Sequence, residues 1–389
     1  MNKPLALLIS VALLTSPLST NAFGATKAGA TCTKAGATST VSNIKYTCIK
    51  SGKKLVWDKG VSVPSSKPSP STNNAARKVI VDPIRVAAFN QVHSKSCADS
   101  YPNLTVSTSI GPSFNQATSK AISDALISDF KCFGDLFTAP TKLQIFYVTE
   151  LDESFVKDKV IPVIIKDDVP HMDQIMLDMK NKKWGNVGSA GGFVNKTYTP
   201  NEFTMVIHVT SNYTWKSTDS KLPMHEFTHV IQHFYRDKMQ TNTEAAWFDN
   251  FPGWFAEGGA DTLAFSVVAT SPENLDSMTR INGKDMANDT SSPQYRTAAT
   301  ANEMITLIKT LIAPNSDAAR NYQYPIGQLV SEYILGTYGF DSYLTLIKNS
   351  GTFSSFSENL KATIGLSQEE FLVKAAPYVL AQWQADLKS

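Results

Sequence analysis

Charge is scarce in this 389-residue chain: Asp, Glu, Lys and Arg make up 18% of it, below the usual quarter. Neither sign dominates, since 36 Lys and Arg against 34 Asp and Glu leave a net +2, which argues against a dedicated nucleic-acid binder. After the first 25 residues no segment approaches the ~18 apolar residues a membrane span needs, so no integral membrane segment is expected. Cysteine is limited to four residues without a C-x-x-C spacing, which excludes a zinc knuckle. Hydrophobic residues still reach 42%, too many for a disordered chain. The length allows two or three domains and a sizeable core.

The near-neutral total hides an asymmetry. Gly24 to Arg85 holds eleven Lys/Arg and two Asp/Glu, net +9, whereas Val86 to Ser389 holds 24 and 32, net −8. A basic front is joined to an acidic body. At the very front, Lys3, the apolar run Leu5 to Leu14 and small residues at Ala22 and Ala25 read as a signal peptide over 1–25. Export would make Cys32, Cys48, Cys97 and Cys132 disulfide formers. Three pairings are open, and Cys32–Cys48 with Cys97–Cys132 is preferred because each bridge stays within one segment. Residues 26–60 hold Ile44–Ile49 and Lys54–Trp57 as short strands about Ser51-Gly52. They resemble a two-cysteine module at the front of many secreted bacterial proteins. Its lysines could hold an anionic cell-wall polymer or lipid headgroups; the bland alternative is a solvated face. Residues 61–77 include the Pro/Ser linker VPSSKPSPSTNN, and 78–389 form the body.

Phe114 to Leu136 has helical spacing, and Lys142–Val148 and Thr204–Val209 read as strands. Helices are then expected at Ala298–Ile312, Pro325–Gly336, Tyr343–Asn349 and Ser367–Leu387, the last opened by a Ser367/Glu370 capping box. A mixed sheet followed by helices is an α+β body.

The chemistry concentrates in His225-Glu226-Phe227-Thr228-His229. On a helix, positions i and i+4 share a face, so both imidazoles can reach one metal ion with Glu226 beside them. With six His and twelve Glu in the chain, such a match arises by chance only ~0.003 times. A catalytic zinc takes three protein ligands and keeps one position open. Trp254-Phe255-Ala256-Glu257-Gly258-Gly259-Ala260-Asp261 offers Glu257 as the third. Asp261, one turn on, could fix the tautomer of a ligating histidine.

These paired motifs resemble those of the gluzincin zinc peptidases, the thermolysin-like and aminopeptidase-like enzymes. The resemblance implies a thermolysin/aminopeptidase-like core and a secreted zinc metallopeptidase acting on polypeptides. Its site would have His225, His229 and Glu257 as ligands, Glu226 as general base and Asp261 behind a ligand. Tyr324, followed by Pro325-Ile326-Gly327, is similar to the tyrosine motif that stabilises the oxyanion; Tyr322 is the rival. Two departures stand out. Twenty-seven residues separate His229 from Glu257, implying an inserted loop about Thr241–Asp249. The amine-binding G-x-M-E-N is absent; Gly188 to Phe193 is glycine-rich but carries no acid. Cleavage inside chains is therefore expected, with strand Thr204–Val209 pairing an extended substrate.

Other histidines read as structural: His233 as packing or support, His208 as a sheet residue, His93 and His171 without partners in a motif. Trp247, Trp254 and Phe255 read as core. Two further functions stay open: an inactive surface-binding protein on a peptidase scaffold, and a zinc hydrolase of a non-peptide amide or epoxide.

Overall fold

The computed structural model describes residues 29–41, 44–62, 80–181, 190–197, 199–236, 248–287, 293–313 and 316–388. The expected signal segment, positions 63–77 of the linker and positions 241–247 of the expected insertion, with Trp247, lie outside them. So do Gly188 and Ser189. Two compact units divide the described residues, one ending at Ile80 and the other beginning at Val81.

The small unit is an antiparallel sheet of β1 (Thr38–Val41), β2 (Ile44–Ser51), β3 (Lys54–Trp57) and β4 (Val61–Ser62). β2 is central, flanked by β1 on one side and by β3 and β4 along the other. β4 carries the module to Ser62, two residues past the boundary expected at 60. Ser51 pairs with Lys54, so Gly52 and Lys53 alone make the turn, and Gly52 takes φ 61°, which its missing Cβ permits. Cys48 is the one buried hydrophobic side chain among the unit's described residues. With so little core, the Cys32–Cys48 disulfide, closing a separation of 16 residues, contributes about 3 kcal/mol on the chain-entropy account.

The body is α+β, with a mixed sheet leading into a helical C-terminal part. β5 (Leu104–Ile110), β6 (Thr141–Val148) and β8 (Glu202–Val209) run parallel, and β7 (Ala190–Lys196) closes the order β5-β6-β8-β7 as an antiparallel edge. Helix α2 (Gln116–Phe133) is the crossover from β5 to β6, capped by Asn115. It follows α1 (Pro83–His93), and Cys132 near its end bonds Cys97. Helix α3 (Val169–Lys180) covers the opposite face of the sheet through Met172, Ile175 and Met176 against Phe146, Phe193 and Val206.

β8 is buried from Phe203 to Val209 and hydrogen-bonded on both sides. This corrects the expectation that Thr204–Val209 pairs with substrate: both of its edges are already used by β6 and β7. The edges of the described sheet are β5 and β7, and β7 begins in the Ala190–Phe193 stretch that reads only as glycine-rich in the sequence.

Helix α4 (Lys221–Arg236) carries the H-E-x-x-H and packs Phe227 edge-on to Phe130 of α2, centroids 4.7 Å apart. Helix α5 (Gly253–Val268) lies against it, starting after Pro252. Then come α6 (Pro272–Ala287), α7 (Ala301–Thr310), α8 (Asp317–Gln323), α9 (Pro325–Tyr338), α10 (Phe340–Lys348), α11 (Phe356–Ile364) and α12 (Gln368–Asp386). The Ser367/Glu370 capping box is formed. Gly258 of α5 and Gly327 of α9 face each other so closely that a Cβ on either would enter the partner's backbone. Thr262 Oγ1 donates to Gln328 O across the same seam at 3.0 Å. This backbone-to-backbone approach brings the residue before α9, Tyr324, over the end of α4.

Candidate metal centre

His225 and His229, one turn apart on α4, are each 2% exposed, with rings at 80° and centroids 4.8 Å apart. Their Nε2 atoms stand 3.1 Å from each other. Glu257 Oε2, arriving from α5, is 3.6 Å from the first and 3.3 Å from the second. Three ligand atoms thus converge on one point. Ligands at tetrahedral angles and zinc bond lengths of ~2.0–2.1 Å stand roughly 3.3 Å apart, so the spacing fits such an ion. Two imidazole nitrogens this close can share at most one hydrogen, and a cation between them removes the conflict.

The outward nitrogens are held. His225 Nδ1 lies 2.8 Å from Asp261 Oδ1, one turn past Glu257. His229 Nδ1 lies 2.8 Å from Gln232 Oε1, and Gln232 Nε2 donates to Ala256 O at 3.0 Å. Both Nε2 atoms are thereby turned to the centre. Gln232 was not singled out from sequence; its place three residues after His229 on the same helix was the available signal.

Burial alone would lower the His225 pKa, but bonds to Asp261 and Glu257 outweigh it and push it up to about 10. Burial works to raise Glu257, and the facing imidazoles of His229 and His225 overcome it, pulling the group below the usual carboxylate range. Glu226 shifts the other way: burial raises it, opposed by His225 and His229. Its side chain is fully buried and both carboxylate oxygens lack a hydrogen-bond partner. An orphaned buried carboxylate is costly. It marks Glu226 as a group waiting for a proton donor. A Cβ at Gly192 of β7 would collide with the Glu226 side chain, so the edge strand and Glu226 touch through a position that only glycine can fill.

Tyr324 is 7% exposed and its ring lies over His225, 5.8 Å between centroids at 22°. Burial first, then the carboxylates of Glu257, Asp261 and Glu226, raise its phenol well above the ordinary value. It is a protonated donor at this centre. Tyr322 faces elsewhere, stacked on Tyr295 at 4.3 Å and edge-on to Trp383. Helix α8 ends between the two tyrosines and sends them to different places.

Among the other histidines, His233 lies by Phe203 and accepts from Arg236. His93 stacks on Phe89 and bonds Ser266 O. His208 lies over Gly191 of β7, and His171 packs on Phe193; burial holds both near a pKa of about 4, hence neutral. None joins the centre. Trp254 and Phe255 are fully buried core. No family model, curated protein or solved structure matches the chain.

Proposed function

We propose that the chain is a secreted, zinc-dependent peptidase with a gluzincin-like catalytic core. One observation carries the reading: a His/His/Glu ligand set whose neighbour on α4, Glu226, is a buried carboxylate with no partner. Structural metal sites are closed by four protein ligands, whereas three ligands beside an unpaired base suit hydrolysis. His225, His229 and Glu257 would hold the ion, with Asp261 and Gln232 orienting the two imidazoles. Zinc supplies Lewis acidity toward a carbonyl and toward water.

The remaining steps belong to the protein. Glu226 takes a proton from the attacking water and returns it to the leaving amine. Tyr324 Oη donates to the oxygen on which negative charge grows. β7, an antiparallel edge touching Glu226 at Gly192, offers backbone donors and acceptors to an extended polypeptide. No acidic side chain lies along it to capture a free amine, which supports cleavage inside chains. Export is supported by the two disulfides, and no described helix is long and apolar enough to cross a membrane.

Metal analysis with casein digestion, with and without chelator, tests the reading. About one zinc per chain and chelator-sensitive proteolysis are expected. Zinc without proteolysis of any unfolded protein would leave the inactive-scaffold reading. Glu226 at 0% exposure favours a second reading, hydrolysis of a compact amide or epoxide. Turnover of small amides but not of N-acetylated peptides would select it.

A further inference from the structure

The small unit carries a charge pattern that hydrolysis does not use. Six lysines lie among its described residues, at 34, 45, 50, 53, 54 and 59, and each is exposed. Its one described carboxylate, Asp58, is engaged by the backbone: Oδ1 accepts from Thr47 N at 2.9 Å and Gly60 N at 3.0 Å. The net charge over 29–62 is thus +5, with no second acidic side chain in the unit to screen it. A merely solvated surface ordinarily mixes both signs.

Register decides where the charges point. Lys54 pairs with Ser51 and Lys50 with Leu55, so Lys50 and Lys54 leave opposite faces of the hairpin. Lys53 occupies the turn between them. Lys45, in register with Val61, shares the face of Lys54 six residues from Ser51, roughly 20 Å along the strand. Lys34 and Lys59 sit in the flanking loops. Three of the six ammonium groups, those of Lys50, Lys53 and Lys54, therefore surround the hairpin tip on both faces, and Lys45 lies farther along one of them. A flat lipid surface can meet only one of those faces at a time. A flexible chain bearing regular negative charges can pass over the tip and reach all of them. Lysine, a compact point charge on a flexible stem, suits such contacts better than fixed bidentate recognition.

We propose that this unit binds a flexible, phosphodiester-bearing polyanion of a cell surface and so tethers the chain there. The inference rests on the small unit alone and stands or falls independently of the peptidase reading.

The test is binding of the full chain to immobilised poly(glycerol phosphate) over a salt series. Affinity should fall steeply as salt rises, through release of counterions. Lys50→Gln/Lys53→Gln/Lys54→Gln should weaken binding ~10-fold or more at low salt and flatten the salt dependence, with melting unchanged. A matched triple change on the body, Lys120→Gln/Lys142→Gln/Lys309→Gln, should leave binding intact. Equal loss in both triple variants would reduce the effect to overall charge and overturn the assignment. So would undiminished binding by the hairpin variant, or binding to phosphatidylglycerol vesicles without binding to the polymer.

Discussion

At the residue scale the proposed function gives the residues of the centre separate roles, and substitution can tell them apart. Glu226 is not among the three converging groups, so on that reading Glu226→Gln should keep the zinc while hydrolysis falls by several orders of magnitude. Normal turnover with metal in place would remove it as the base. Tyr324 is expected to contribute only as charge develops, so Tyr324→Phe should lower kcat and kcat/KM together by ~10²–10³-fold at unchanged zinc content. Tyr322→Phe should leave both constants near normal, because that ring packs between Tyr295 and Trp383. Kinetics of the two variants side by side settle which tyrosine serves. The sequence favoured Tyr324 through the Pro325-Ile326-Gly327 that follows it, but not the direction of either ring, since two residues of spacing at a helix junction point in unrelated directions.

At the scale of elements, the seam between α5 and α9 decides whether Tyr324 reaches His225. A Cβ on Gly327 would press on the Trp254 carbonyl, a backbone atom that cannot swing aside. Gly327→Ala should therefore force the helices apart, destabilising the body by ~1–3 kcal/mol. Zinc content should survive, because no ligand sits on α9, while kcat falls through displacement of Tyr324. A variant with normal melting and kcat would show that the seam has slack. The sheet teaches a related point about legibility. Thr204–Val209 was visible as a strand, and its unalternating Met205-Val206-Ile207 is what a strand buried on both faces looks like. Which strand lay at the edge was not visible, because Gly191 and Gly192 have no side chains to show a period.

At the scale of the whole body, a buried charge network joins segments distant in the chain. Arg85 on α1 bonds Glu332 of α9 and Asp276 of α6, Tyr378 of α12 bonds Glu332, and Arg280 of α6 reaches Asp276 and Asp386. Asp386 is pushed up to about 7, chiefly by burial, with Arg85 and Arg280 opposing and Glu332 and Asp276 adding to the rise. A folded-state pKa above the unfolded value means that this group's contribution is present at low pH and is lost as pH rises through about 7. Asp386→Asn should therefore raise stability at pH 8 relative to the parent, by a few degrees in Tm, and change it little at pH 4. Thermal melts at the two pH values read this directly; an equal shift at both would mean that Asp386 does not titrate in this window.

The sequence by itself determined what is local. Both histidines and Glu226 lie within one turn and a half of helix, the capping box spans four residues, and the preferred disulfide pairs are the ones formed. Spacing along one helix carries such geometry without reference to the rest of the chain. Tertiary structure alone decided that Gln232 is anchored on Ala256 of α5, that Tyr324 and not Tyr322 overlies His225, and that β7 is the edge beside Glu226. Each of these depends on how two separate elements approach each other. That approach is set by packing at glycine contacts such as Gly258–Gly327 and Gly192–Glu226, where a missing side chain leaves no hydrophobic pattern to read.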